Sequence, residues 1–510
     1  MPLSFSTQII LSILSGGILI EAFPCFDINI VAWFALIPLM FAIDSSSSLK
    51  RSFWLSYIAG YVFFLGTLYW LFNVTIVGAI LLISYFACYW AIFGLCYHKL
   101  NKLSIWWKII TLPSLWVVLE FIKAHLFTGL DWASLGQSQY QNLAIIQIAD
   151  IVGMKGISFL IVMINIGLKE FYCALINKKK LSFNNETFNV PVVLLLVYLI
   201  VFFYGQWRLE GANCKNSAQQ MKVAIIQANI PQHMKWRMMD WPTILAKHQE
   251  LTKDAIKSDP DIDLIIWPET SFPGIWGEDD VWVDKLLEFV QQMPVPILIG
   301  AVVNEDEKYY NSAVLLDGSL DKFQRYDKMH LVPFGEYVPF GKSLPFLKEI
   351  IPVEDFTPGS VPYLFNLEKN KDNANKRFAA LVCFEDTVSE LTSLFVRQGA
   401  KLLINITNDA WFKDTNAPFM HLQAAVFRTI ENRRTLIRAA NTGVSCIIDS
   451  YGRIRDYVKD NNKKTYISGY SIAEVSFMDE ETVFSHYGNW FINICLIFGI
   501  VGFCLSKRKG

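Results

Sequence analysis

The chain has 510 residues, of which 53% are hydrophobic, 15% aromatic and only 18% charged. That is too apolar for an ordinary soluble protein and too long for one domain, so membrane segments joined to a second domain are expected. A formal net charge of -1, with no arginine-rich patch, excludes nucleic acid as a partner bound through its phosphates.

Apolar runs of about 20 residues are long enough to cross a bilayer as helices. Seven precede residue 207, with approximate cores at 5–23, 28–44, 53–73, 76–98, 105–124, 155–176 and 189–206. An eighth runs from Asn489 to Leu505, which predicts a multi-pass α-helical membrane domain of about eight spans. The first run lacks the basic start of a signal peptide and is expected to stay as an anchor. Lysines and arginines follow the even-numbered spans: Lys50 and Arg51, Lys99 and Lys102, Lys178 to Lys180, and Lys507 to Lys509. Basic loops are retained in the cytoplasm, so both termini are expected there and the segment between spans seven and eight outside. Few buried ionisable residues are expected within the spans, which argues against a transporter.

That outside segment changes texture. Short β-branched runs such as "KVAIIQA", "DLIIWPE", "VPILIGAVV", "SAVLLD", "FAALVCF", "KLLINIT" and "VSCIID" alternate with helical patterns at 243–258, 281–293, 389–399 and 421–439. The alternation predicts an α/β domain with helices covering sheet faces. The expected domains are 1–207 in the membrane, 210–485 outside it, and a last span with a basic tail at 488–510.

Nine cysteines lie far apart without metal-ligand spacing, so neither a zinc site nor a disulfide framework is suggested. Cys88, Cys96, Cys173, Cys495 and Cys504 fall in apolar runs, where cysteine is a small hydrophobe. Cys383 is different, because it ends an apolar strand with Glu385 and Asp386 just behind it. A thiol needs a base or a cation to act as a nucleophile at neutral pH. Two other strand ends carry candidates, Glu269 in "LIIWPET" and Lys328 in "YDKMHLVPFGEYVP". Chemistry divides the labour: Glu269 as general base, Lys328 as clamp on a developing oxyanion, Cys383 as nucleophile. Each has an ordinary alternative. Cys383 can be a buried structural thiol, Pro268 can simply end a strand, and Lys328 can be a solvated surface lysine.

"LIIWPET", "YDKMHLVPFGEYVP" and "LVCFED", in this order, resemble the Glu-Lys-Cys signature of the nitrilase superfamily. With "QANIPQHMKW" at 227–236, "TNDAWF" at 407–412, "ENRR" at 431–434, "RAANTGVS" at 438–445 and the flanking spans, the whole chain is similar to the apolipoprotein N-acyltransferase family. The resemblance implies a nitrilase-like αββα sandwich and a multi-pass protein of the bacterial inner membrane with its catalytic domain in the periplasm. It implies acyl transfer from a phospholipid, chiefly the sn-1 chain of phosphatidylethanolamine, through a cysteine thioester to the α-amine of diacylglyceryl apolipoproteins. No cofactor and no metal are implied, and a monomer is expected. The triad carries over as Glu269, Lys328 and Cys383; Glu336 becomes a further essential acid, and Trp236 lines an entrance. Phe384 stands where the family commonly has tyrosine, and Glu385 orients the thiol or organises the site. Without the resemblance, Glu336 is a turn acid, Trp236 is packing and Glu385 caps the helix near Ser389.

Aromatic loops at 271–277, 339–352 and 409–420 are expected to be lids that dip towards lipid. His330 and His421 are expected to be structural, and Asn405 and Asn408 to fix turns near the site. Two rivals remain open: a membrane-tethered amidase or nitrilase that gives its acyl-enzyme to water, and a membrane receptor that binds lipidated peptides without chemistry.

Overall fold

The computed structural model describes residues 3–176, 186–212, 219–235, 237–318, 323–339, 355–367 and 376–508. Trp236, the basic run at 178–180, Lys509 and residues 340–352 lie outside the described residues. The chain divides into two compact units, one of Met1–Cys214 with Tyr487–Gly510 and one of Lys215–His486.

The first unit is helical. Ile76–Leu100, Ile105–His125, Ala149–Ile176, Asn189–Gly211 and Trp490–Arg508 are each long and apolar enough to cross a membrane. The three remaining expected spans are also helical: the shorter Phe5–Ile20, then Ile37–Asp44 behind the turn Asn29–Trp33, and the 19-residue Leu49–Thr67 ahead of the turn Tyr69–Asn73. Hydroxyls start several of these helices. Ser4, Ser48 and Thr75 accept the N–H groups of Thr7, Arg51 and Gly78, each satisfying a donor that the helix leaves free. The expectation of few buried ionisable residues does not hold. Lys169 pairs with Asp44 and Glu170, Lys108 with Glu170, and Lys155 with Asp131 at 2.5 Å. Partners drawn from different segments offset the cost of burying each charge, and sequence spacing does not reveal such pairs.

The second unit contains thirteen described strands: β1 (Gln220–Gln227), β2 (Leu264–Ile266), β3 (Ile275–Trp276), β4 (Ile297–Glu305), β5 (Lys308–Leu316), β6 (Gln324–Asp327), β7 (Leu364–Asn366), β8 (Arg377–Val382), β9 (Leu402–Thr407), β10 (Thr435–Ala440), β11 (Cys446–Ile448), β12 (Ile454–Arg455) and β13 (Gly469–Ser476). One sheet runs in the order β13-β1-β2-β4-β5-β6, with β3 beside β4; the other runs β12-β11-β10-β9-β8-β7. β1, β2 and β4 are parallel, as are β8, β9 and β10. Every residue of β9 and β10 is buried, as expected for parallel strands covered on both faces.

The sheets face each other, with β1 against β10 and β5 against β8. Helices Trp241–Ser258 and Asp280–Gln291 bring Ile244, Leu251, Leu286 and Phe289 into one core with Ile226, Ile265 and Ile299 of the first sheet. Helix Ser389–Arg397 packs on helix Ala417–Asn432, which covers β10 and β11. The layers therefore run helix, sheet, sheet, helix.

Two further expectations, both in the second unit, are corrected. The pattern at 421–439 is not one helix: it ends at Asn432, Arg433 turns left-handed (φ 48°), and Thr435–Ala440 becomes β10. The loop at 271–277 is not a lid, because Phe272 is fully buried and Ile275–Trp276 pairs with β4.

Candidate active site

Parallel strands place their C-terminal ends side by side, and ligand sites gather there. Cys383 follows β8 directly, Lys328 follows β6 directly, and Glu269 stands three residues beyond β2. Cys383 opens the turn Cys383–Thr387 with φ 55°, a left-handed conformation that is costly for a residue with a Cβ. Thr270, beside Glu269, is also left-handed at φ 50°. Gly300 on β4 makes room for this bend, since a Cβ there would sit 2.6 Å from Glu269 Cα and 2.6 Å from Thr270 N.

Glu269, Glu336 and Lys328 are joined by one amide. Asn311 Nδ2, on β5, donates at 2.8 Å to Glu269 Oε1 and at 2.8 Å to Glu336 Oε1. Lys328 Nζ donates to Glu336 Oε1 at 2.9 Å and lies 2.8 Å from Oε2, which also accepts the Val332 N–H at 2.8 Å. Glu336 thus does hold a loop, as a turn acid would, and at the same time pairs with the lysine. The Asn311 N–H groups therefore bridge two carboxylates, and the backbone carbonyl of Asn311 accepts the Lys328 N–H at 2.9 Å. Lys328 is 1% exposed, so its charge is met by protein groups and not by bulk water.

Electrostatics prepares the groups differently. Burial pushes the Cys383 thiol well above its ordinary pKa and Glu269 adds to this, while Lys328 and the Thr407 hydroxyl oppose it. Burial also raises Glu269, against the attraction of Lys328. For Lys328, burial acts downwards but Glu336, Cys383 and Glu269 outweigh it, so the ammonium is held. The resting site is a protonated thiol beside a buried carboxyl and a fixed cation.

Glu385 does not touch the thiol in any described contact. Its Oε1 accepts from Tyr326 Oη (2.8 Å), Met329 N (2.7 Å) and His330 N (3.0 Å), and its Oε2 from Val382 N (2.8 Å). It ties the segment after Lys328 to the strand end before Cys383, and helix Ser389–Arg397 starts without a side-chain cap. Burial raises its pKa to about 7, against the Val382 and His330 N–H groups. Phe384 is buried and stacks on His330 at 5.8 Å between centroids. Asn405 Nδ2 donates to the Cys383 carbonyl at 2.9 Å, and Asn408 Nδ2 to Gln232 Oε1 at 2.8 Å.

Asn311 and Lys235 were not singled out by sequence. Asparagine is disfavoured inside a strand, which is the signal "YYNSAVLLD" carries for Asn311. Lys235 Nζ donates to the Glu269 and Thr270 carbonyls at 3.0 and 3.2 Å, and burial lowers its pKa to about 8. Among the described residues, no group of three His, Cys, Asp or Glu side chains is placed to hold a metal ion.

Residues 15–167 match the apolipoprotein N-acyltransferase N-terminal domain, and residues 222–479 match the carbon-nitrogen hydrolase family. Apolipoprotein N-acyltransferase of Geobacter metallireducens is 35% identical over 98% of this chain and 95% of its own length. That of Haemophilus ducreyi is 29% identical over 98% of this chain and 97% of its own length. Among solved structures, a Saccharomyces cerevisiae protein of the nitrilase superfamily is 19% identical with a TM-score of 0.38, covering 53% of this chain and 94% of its own.

Proposed function

This chain belongs to the apolipoprotein N-acyltransferase family, and from that premise we propose that it moves the sn-1 acyl chain of phosphatidylethanolamine, through a thioester on Cys383, to the N-terminal α-amine of diacylglyceryl apolipoproteins. The chain is an N-acyltransferase and an integral membrane protein. The inner membrane, eight spans, cytoplasmic termini, monomeric state and a periplasmic catalytic domain at 210–485 are part of the proposal; the basic loops support the orientation of the termini and of that domain.

The chemistry proceeds in two steps. Glu269 takes the Cys383 proton as sulfur attacks the ester carbonyl, and Lys328 with the Phe384 N–H faces the oxyanion. Collapse breaks the ester C–O bond; the lysophospholipid oxygen leaves with the proton from Glu269, and the thioester remains. The α-amine then attacks that carbonyl and gives a proton to Glu269. The C–S bond breaks, the amide product leaves, and the thiolate recovers its proton. Glu336 holds Lys328 in place, and Asn311 orients Glu269.

The observation that carries this reading is the buried Glu269–Asn311–Glu336–Lys328 chain of contacts, whose charges bear on a thiol at a strained strand end. The test uses phosphatidylethanolamine labelled in the sn-1 or the sn-2 chain, with a diacylglyceryl-cysteine peptide. Label from sn-1 in an amide on the peptide is expected. Label released as free fatty acid, or transferred equally from sn-2, contradicts the proposal.

A further inference from the structure

Behind Cys383 lies a buried ionic network that the two chemical steps do not use. Asp386 belongs to the turn after β8, Asp409 to the turn Asp409–Phe412 after β9, Arg438 to β10, and His421 to the helix Ala417–Asn432. Each is at most 1% exposed. His421 Nε2 lies 2.8 Å from Asp386 Oδ1 and Nδ1 lies 2.9 Å from Asp409 Oδ1. Arg438 spans the other two oxygens, with Nη1 at 2.5 Å from Asp386 Oδ2 and Nη2 at 3.3 Å from Asp409 Oδ2.

The protonation state follows from hydrogen-bond roles. An ionised carboxylate only accepts, so a ring held between two of them donates from both nitrogens and is an imidazolium. Two cations then balance two anions. Burial and Arg438 push the His421 proton off, but Asp386 and Asp409 outweigh them and raise its pKa. Among the described contacts, these three groups bring charge to the ring, from the two turns and from β10.

The network reaches the nucleophile by two routes. Asp386 is part of the same turn as Cys383, and Arg438 Nη1 donates at 3.1 Å to Asn405 Oδ1, whose amide holds the Cys383 carbonyl. A left-handed non-glycine residue persists where its surroundings over-determine it, and these bonds do so for Cys383. The other end is equally confined: a Cβ on Gly443 would stand 2.0 Å from Asp409 Oδ2, so the carboxylate occupies space that only glycine leaves. The Asp409 charge also acts on the thiol, raising its pKa.

We propose that His421, as an imidazolium, is a positioning residue for acyl transfer: together with Arg438 it balances Asp386 and Asp409 and so locks the turn carrying Cys383 to the turn Asp409–Phe412. The inference rests on Cys383 being the acylated residue. Losing the proton leaves one buried negative charge in excess beneath the thiol and removes one of the two ties.

The test is a charge-balance cycle in the detergent-solubilised full chain, following acylation of Cys383 by phosphatidylethanolamine with site-resolved mass spectrometry. His421→Gln removes the positive charge and is expected to slow acylation on the order of 100-fold, the scale of a misplaced reacting group. Adding Asp409→Asn restores neutrality and is expected to recover roughly tenfold of that loss, the coupling seen between residues of one network. A packing role for His421 predicts the reverse, with the double variant at least as slow as the single one. Wild-type acylation in His421→Gln, or no recovery in the double variant, overturns the inference. If His421→Gln fails to fold, nitrogen-15 spectra of the histidine-labelled wild-type chain decide near pH 8, where an ordinary imidazole is neutral. A persisting imidazolium supports the proposal, and seven neutral histidines overturn it. An acyl group found on a residue other than Cys383 in the wild type overturns the proposed function itself.

Discussion

Replacing Asn311 with alanine removes the amide that donates to both Glu269 and Glu336, each at 2.8 Å. Hydrogen bonds to charged groups contribute about 1.5–3 kcal/mol each, so the loss at Glu269 alone corresponds to a roughly ten- to hundredfold slower proton abstraction. The sign of the pH effect follows. Burial already holds the Glu269 pKa above the usual carboxylate range, and the Asn311 bond lowers it. Without that bond Glu269 stays protonated to higher pH, so the acid limb of the acylation profile moves upwards. The assay is single-turnover acylation of Cys383 measured against pH in wild type and Asn311→Ala, with thermal melting as the folding control. A variant that melts like wild type and keeps both its rate and its acid limb would refute the assignment of Glu269 as the base that Asn311 orients.

Glu336→Gln keeps side-chain oxygen near Lys328 but removes the charge that meets a buried ammonium; breaking such a pair costs about 3–5 kcal/mol, so a lower melting temperature and slower acylation are expected. Unchanged melting and kinetics would return Glu336 to a turn role alone. Gly300→Ala drives a Cβ into the Glu269 and Thr270 backbone, and a displaced base is expected to slow acylation on the order of 100-fold; wild-type rates would show that the bend tolerates the contact. Glu385→Ala strands four donors, each costing about 1–3 kcal/mol, and hydrogen exchange at Met329, His330 and Val382 should rise; unchanged protection there contradicts the clamp.

Part of the proposed site is legible at strand ends: Cys383 follows the apolar "FAALV" and Glu269 follows "LIIWP", whereas Lys328 follows the polar "QRYD" and stands out only through the longer motif "YDKMHLVPFGEYVP". Elements whose partners are distant in sequence were hidden. The run at 421–439 keeps apolar residues at helical spacing past Asn432, and the break is a left-handed Arg433, a position where glycine would have been the visible signal. β10 is then a strand because β9 and β11 flank it, a fact of tertiary packing and not of local propensity. Asp386, Asp409 and Arg438 stand far apart in the chain and meet because β8, β9 and β10 are neighbours in the sheet. His421 therefore looked like a lone structural histidine. Glu385 was legible as important for its place beside Cys383, but its partners lie in the segment after Lys328 and only the fold names them.

The central claim is that Cys383 carries the acyl chain between donor and acceptor. The direct measurement is intact mass spectrometry of the detergent-solubilised full chain after incubation with phosphatidylethanolamine, followed by addition of a diacylglyceryl-cysteine peptide, with Cys383→Ala in parallel. The account predicts a hydroxylamine-sensitive acyl adduct on Cys383, absent from the variant, that disappears as the peptide gains an amide-linked chain. Peptide acylation by Cys383→Ala, or an adduct lost to water at the same rate with or without peptide, would contradict it.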